Sequence, residues 1–396
     1  MPARTLIPLL ALLPSPACAV EMATADPEDI AREVRNANAP GGSPDLLERW
    51  GEARRRIDEH AGFSWTAGYY SASLAAIGGD GVPFGASGEL SIQGLWKPGQ
   101  RWTDNPTELR FRLRHRHALG GTAASELSDD VGAIWGVIDG FSDSGFEVPD
   151  FFLRHEFERA GLEIRYGQMS IDSQFGGHQL ASAKHYFLNQ AFASNPAVAF
   201  PRFGAGLTAV KRFDNGLSIG LGATTVQGTQ QGDQVDFKFS SGDLFHALQF
   251  AYDFKGADEL PQRLQLLGWH SDSVEDAGQP EGQGVQLTYE RSLDADGTRF
   301  FSTLAWADGG AAPLDYFLSA GLGRPCGGDD FAGLAVGAGR GSGDGRPFQL
   351  VVEGFYRRQW GEHFEVAPDV QLLIGEDLAT SPGVRLIAGV RVAASF

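Results

Sequence analysis

Cysteine is almost missing from this chain of 396 residues, which holds only Cys18 and Cys326, so no disulfide framework can carry the fold. Proline, at 20 residues, is too sparse for a collagen-like or proline-rich chain. Beyond the amino terminus no apolar run approaches the roughly 18–20 residues of a membrane-crossing helix. Basic residues are outnumbered, 32 Lys and Arg against 50 Asp and Glu for a net charge of −18. Such a chain is a poor match for a phosphate backbone, and no nucleic-acid partner is expected. The signatures of catalysis are missing too. There is no Gly-x-Ser-x-Gly elbow, no Gly-x-x-x-x-Gly-Lys phosphate loop and no His-Glu-x-x-His pair, so no enzyme, cofactor or metal centre is expected.

Glycine is in excess, 53 residues, about twice the usual share. The chain begins with Arg4, an apolar stretch over residues 6–13, and small residues at Ala17-Cys18-Ala19 where a signal peptidase would cut; residues 1–19 therefore read as a cleaved secretory signal. Acylation at Cys18 is the competing reading, which Pro16 fits poorly. Residues 20–62 form a periplasmic segment. Within it Leu46, Leu47, Trp50 and Ile57 recur at near-helical spacing and predict a short helix over 44–60, either a solvated helix against the main domain or a plug or partner-binding arm.

From Phe63 to Phe396 the pattern is alternation. In Leu109-Arg110-Phe111-Arg112-Leu113-Arg114 every second residue is a guanidinium; Leu162, Ile164 and Tyr166 alternate with Glu163 and Arg165; Leu248, Phe250, Tyr252 and Phe254 face away from Gln249, Ala251 and Asp253. Sixteen or seventeen such segments, ended by Gly, Asp, Asn or Pro, predict an all-β fold, a transmembrane antiparallel β-barrel of about 16 strands spanning residues 63–396, apolar outward and polar inward. A soluble sandwich would not need charged residues on one whole face. Trp65, Trp96, Trp102, Trp269, Trp306 and Trp360, with Tyr166, Tyr289 and Tyr356, lie near segment ends, as aromatic girdles at membrane interfaces would. The last segment alternates Val384, Leu386, Ala388, Val390, Val392, Ala394 and Phe396. Its terminal aromatic resembles the signal that the barrel assembly machinery reads in the cell outer membrane.

Residues 169–202, with Asp172, His178, His185, Asn189 and Asn195, have low strand character and are the candidate for an inward loop that narrows a channel; residues 120–150 are a second. Gly337-Ala-Gly339-Arg-Gly341-Ser-Gly343-Asp-Gly345 lacks the lysine of a phosphate loop and reads as a flexible turn or a strand face. Gly327-Gly-Asp329-Asp330 reads as a solvated loop, His115 and His117 make a poor metal pair, and Cys326 has no assigned role.

Five stretches carry a resemblance to a family. Leu350-Val-Val-Glu353-Gly-Phe-Tyr356-Arg357-Arg-Gln359-Trp, then Val366-Ala-Pro368-Asp369-Val-Gln371, then Gly389-Val-Arg391-Val-Ala-Ala-Ser-Phe396 resemble the OprB-type carbohydrate-selective porins. So do Glu48-Arg49-Trp50-Gly51-Glu52-Ala53-Arg54 and Arg165-Tyr166-Gly167-Gln168, the latter with Gln where that family has Lys. The resemblance implies a sixteen-stranded outer-membrane barrel that passes sugars by diffusion, in contact with outer-membrane lipid and lipopolysaccharide. A channel for small anions or other small solutes, or a barrel enzyme, is the alternative.

Face parity supplies the candidate channel-lining residues: Arg110, Arg112, Arg114, Arg165, Glu353, Arg357, Gln359, Asp369, Gln371, Arg385 and Arg391. Each lies opposite an apolar alternate set, and an arginine turned to lipid at mid-membrane costs about 2–4 kcal/mol. Guanidinium and carboxylate groups suit hydroxyl-rich solutes. On this parity Arg dominates the channel wall and most of the acid falls in loops and turns.

Overall fold

The computed structural model of the protein describes residues 45–77, 83–98, 107–229, 232–239, 242–342, 348–375 and 383–396. The secretory signal at 1–19, residues 20–44, Trp102 and the Gly343 to Gly345 end of the glycine run lie outside the described residues. A helix, α1 (Asp45–Ala61), leads into sixteen strands. These are β1 (Phe63–Ile77), β2 (Phe84–Trp96), β3 (Thr107–Ala118), β4 (Gly145–Phe157), β5 (Leu162–Met169), β6 (Gly204–Arg212), β7 (Leu217–Thr225) and β8 (Leu244–Lys255) in the first half. The second half holds β9 (Pro261–Ser271), β10 (Gly282–Ser292), β11 (Arg299–Asp308), β12 (Leu314–Pro325), β13 (Phe331–Gly341), β14 (Phe348–Trp360), β15 (Phe364–Gly375) and β16 (Val384–Ser395).

Every strand pairs antiparallel with its neighbours in the chain, and β1 pairs with β16 from Gly68↔Ser395 to Ile77↔Leu386, so the sheet closes. The carboxyl terminus locks that seam: Ala67 N and Thr66 Oγ1 donate to Phe396 O at 3.1 and 3.0 Å, and Phe396 N donates to Ala67 O at 2.8 Å. Short turns such as 158–161, 213–216 and 361–363 alternate with longer connections such as 119–144, 170–203 and 226–243. The short turns, α1 and Phe396 share one end of the barrel.

Helix α1 follows Pro44 directly and sits on that end. Among the described side chains its buried anchor is a charged one. Trp50 and Ile57 stay exposed, while Arg54 is buried and its Nη1 donates to Trp65 O at 3.1 Å. Trp50 meets the Trp65 ring edge-on at 5.2 Å.

The outer wall is apolar, with exposed Leu248, Phe250, Leu318, Leu334, Val390 and others. Trp96, Trp306, Trp360, Tyr166 and Tyr356 are exposed on it near strand ends. Trp269 is not: it points inward, buried and stacked on Phe245 at 6.0 Å. A strand residue belongs to a face by its register and not by its chemistry, and Trp269 shares its face with Gln265 and Leu267.

The interior holds a core. Trp135, Val137 and Phe141 from connection 119–144 and Leu180, Phe187, Leu188 and Phe192 from connection 170–203 pack against Phe301, Phe317, Phe331 and Phe355 of β11 to β14. A second cluster joins Ile171 and Phe175 to Phe245, Leu267 and Trp269. Inward-facing glycines make the sockets. A Cβ on Gly220 or Gly222 would stand 2.8 Å from the Phe175 ring, and one on Gly333 would meet Phe355 at 2.4 Å and Phe187 at 2.9 Å. The glycine run of β13 is such an inward strand face at Gly337, Gly339 and Gly341. Truncating Phe187 to alanine empties a closed socket and is expected to cost about 3–5 kcal/mol, seen as a lower unfolding temperature in detergent and as proteolysis within 170–203 while the barrel itself stays intact.

Candidate functional site

The packed connections fill the β7 to β16 side of the interior and leave the β2 to β5 side charged. Between them lies a cavity of about 320 Å³, lined by Glu89, Gln93, Arg112, Arg114 and Arg116 on the wall and by Asp139, Ser170, Lys184, His185, Asn195, Arg202 and Phe203 on the connections. A second cavity of about 540 Å³ opens at the short-turn end, lined by His185, Tyr186, Arg357, Gln359 and Glu365 and by the turn residues Asp296, Asp329, Asp330 and Glu362. His185 lines both, so the segment around it stands between the two spaces.

The guanidinium row of β3 is matched by carboxylates on the same strand and its neighbours. Arg110 Nε donates to Glu108 at 3.0 Å, Arg112 Nε to Asp150 at 2.6 Å, Arg114 Nε to Glu147 at 2.5 Å and Arg116 Nε to Glu89 at 2.6 Å. Antiparallel register brings Glu89 opposite Arg116. On the other side the pairing of β3 with β4 shifts between Arg112 and Arg114. That irregularity, at Val148-Pro149, lets Glu147 and Asp150 face inward although they are three residues apart; proline fits there because it has no N–H for the ladder. Nearer the short-turn end Arg165 pairs with Glu163 at 2.7 Å, and Arg154 bridges Glu108, Glu156 and Glu163. Gly167, two residues on, has φ +140° and a phantom Cβ 2.7 Å from Phe152 Cα, a position only glycine fills.

On the opposite wall the inward side chains hold the connections. Leu188 N and Asn189 N donate to the two Glu353 oxygens at 2.5 and 3.0 Å, Asn189 Nδ2 donates to Gln371 at 2.9 Å, and Gln371 Nε2 donates to Val137 O at 2.9 Å and approaches Asp369 at 3.3 Å. Arg391 Nη1 donates to Ala183 O and Tyr186 O at 2.9 and 2.6 Å. Arg357 reaches His185 O at 3.4 Å and lies over the Tyr186 and Phe331 rings. On β9 and β10, Gln265 and Glu290 anchor the backbone at Gly177 and Gln179. His178 stacks on Phe301 at 3.7 Å, and burial pushes its imidazole down to about 3, so it stays neutral.

The eleven residues chosen by parity therefore occupy four places. Arg110, Arg112, Arg114 and Arg165 form the charged wall; Glu353, Arg357, Asp369, Gln371 and Arg391 surround the backbone of the inward connections; Arg385 is buried at the long-connection end of β16, and Gln359 closes on Gly361 O at the turn after β14. Most of the acid falls outside the strands, as the parity implies, but the wall is not left to arginine. Glu89, Glu108, Glu147, Asp150, Glu163, Glu290, Glu353 and Asp369 are all buried on strands, facing inward, because a row of guanidiniums at low dielectric needs counter-charges within contact distance. The alternation of β2 already pointed to Glu89. Glu147 and Asp150 were hidden by the register shift, and Lys184, His185 and Arg202 belong to a connection without periodicity.

No family model and no curated protein matches the sequence. Solved structures match the fold. The closed sixteen-stranded antiparallel barrel is similar in fold to outer-membrane porins. Within that class the chain is similar to OprB of Pseudomonas putida: its high-pH structure has a TM-score of 0.70 at 16% identity, over 88% of this chain and 97% of that one. The low-pH structure of the same protein gives 0.59 at 13%, over 90% and 100%, and Salmonella typhi OmpF, in complex with daunomycin, gives 0.53 at 12%, over 84% and 97%.

Exchanging Glu353 for glutamine turns one acceptor into a donor facing the Leu188 or Asn189 amide, an unmet buried hydrogen bond of about 1–3 kcal/mol. Hydrogen exchange at those two amides is expected to speed up by about tenfold or more, with the β14 ladder amides unchanged.

Proposed function

We propose that the protein is an outer-membrane porin through which mono- and small oligosaccharides diffuse passively. The observation that supports this reading best is the pair of cavities meeting at His185, lined by guanidinium and carboxylate groups beside the rings of Phe203 and Tyr186. Sugar hydroxyls both donate and accept, and a wall offering both kinds of partner replaces their hydration weakly enough to release them. Aromatic faces suit the C–H faces of the ring. In this reading Arg112 and Arg114 meet solute in the first cavity and Arg357 and Gln359 in the second, while Glu353, Asp369, Gln371 and Arg391 hold the narrowing in shape.

The secretory signal at 1–19 exports the chain, the apolar outer wall faces lipid and lipopolysaccharide, and Phe396 is read by the assembly machinery. The end with short turns and α1 is then periplasmic. In this reading the protein is a channel, since passive diffusion needs no catalytic group.

Purified protein in planar bilayers is expected to give stepwise current, and proteoliposomes to swell faster in glucose or maltose than in a size-matched amine. Current without sugar permeation would leave a channel for small ions in place of a sugar porin. Replacing Arg112 and Arg114 together by alanine takes the paired guanidinium from Asp150 and one of two from Glu147, which keeps Arg202, so the reversal potential in a salt gradient should move toward cation selectivity; an unchanged potential would place both side chains away from the path.

A further inference from the structure

We propose that the cavity on the long-connection side binds the acid group of polyhydroxy carboxylates, so that the channel takes sugar acids in preference to neutral sugars of the same size. This rests on the porin reading above and names its solute. Five cationic side chains converge on this space: Arg112, Arg114, Arg116, Lys184 and Arg202. Among the described ion pairs three carboxylates answer them, and two of these are shared. Asp150 pairs with Arg112, Glu147 with both Arg114 and Arg202, and Glu89 with both Arg116 and Lys184.

The layering matters more than the count. Arg202 is 44% exposed over a Glu147 that is 1% exposed, and Lys184 is 24% exposed over a Glu89 at 3%. The three wall arginines stand at 13 to 16% over carboxylates at 1 to 4%. The acids are beneath and the cations in front, so a solute in the cavity meets positive charge first. Two other acids line the space. Asp172 is exposed there, and Asp139 lies deeper, its carboxyl pushed up by burial. With these two the acids equal the cations in number, so what favours an anion is the position of the cations in front and not their count.

The cations are also held in place. Arg114 and Arg202 lie over the Phe203 ring at 5.6 and 4.9 Å, and Lys184 lies over Tyr70 at 4.5 Å. Planar forks fixed this way suit the two oxygens of a carboxylate, while Ser170, Ser173, Ser182 and Asn195 around the same space suit hydroxyls. The cavity at the short-turn end is different: Asp296, Asp329 and Glu362 are exposed there. An anionic solute is therefore attracted on one side of His185 and released toward acid on the other.

The full chain in planar bilayers at constant potassium chloride tests this, with potassium gluconate, glucose and potassium acetate added in turn. Gluconate is expected to reduce the current at about a tenfold lower concentration than glucose, with acetate, which has the charge without the hydroxyls, leaving it unchanged at that level. In Arg202→Gln/Lys184→Gln the gluconate advantage should fall to within about twofold; Arg202→Gln alone, on a half-exposed side chain, should lose part of it and serves if the double variant does not assemble. Arg358→Gln, on the outer wall, should change nothing. Equal block by gluconate and glucose, block by acetate equal to that by gluconate, or an advantage that persists in both variants would overturn the proposal while leaving a glucose-permeable porin standing. Absence of any current would overturn the porin reading and this proposal with it.

Discussion

Closure of the sheet is the constraint on which everything else depends. A strand edge presents a row of unpaired N–H and C=O groups, and a chain whose outer wall is apolar has no water there to satisfy them. Pairing β1 with β16 removes the edge, and the hydrogen bonds from Ala67 and Thr66 to Phe396 tie it at the last residue. Once closed, the sheet has an inside. Period-2 alternation then assigns every strand side chain to one of two environments, and the chain must solve the problem of what to put in the inner one.

The solution is uneven around the circumference. From β11 to β14 the inner face is aromatic and glycine-rich, and the inward connections fill it as a core fills a soluble domain. From β2 to β5 it is ionic, and the connections stand off enough to leave a cavity. Two kinds of contact hold the connections at that distance. Wall carboxylates and amides such as Glu353, Gln371 and Glu290 accept from or donate to loop backbone groups that would otherwise be buried without partners. Shared acids such as Glu147 and Glu89 tie a loop cation to a wall cation through one carboxylate. The boundary between the two spaces is thus built from wall and loop together.

Much of this was legible in the alternation alone. Parity placed Arg110, Arg112, Arg114, Arg165, Glu353 and Arg391 on the inward side because a strand has only two faces, and the break in periodicity at 169–202 marked the segment that leaves the wall. What alternation lacks is any knowledge of neighbours. Glu147 and Asp150 share a face only through an irregularity at Pro149, and their pairing with β3 depends on register between segments 33 and 38 residues apart. Trp269 shows the converse failure, since its chemistry suggested an interface and its register put it inside. The interior core was invisible for the same reason: its members come from connections and from alternate positions of several strands, so no stretch of sequence reads as hydrophobic.

The glycine sockets have a consequence for how such a passage could change in size. Phe175 rests on Gly220 and Gly222, and Phe187 on Gly333, at contact distance from where a methyl group would stand. A single added carbon on the wall would lift the ring, and with it the stretch of connection that frames the opening. Calibre is accordingly encoded at a distance, in residues that no solute ever touches, and variation among the wall glycines could retune the aperture while every charged group facing the water kept its identity.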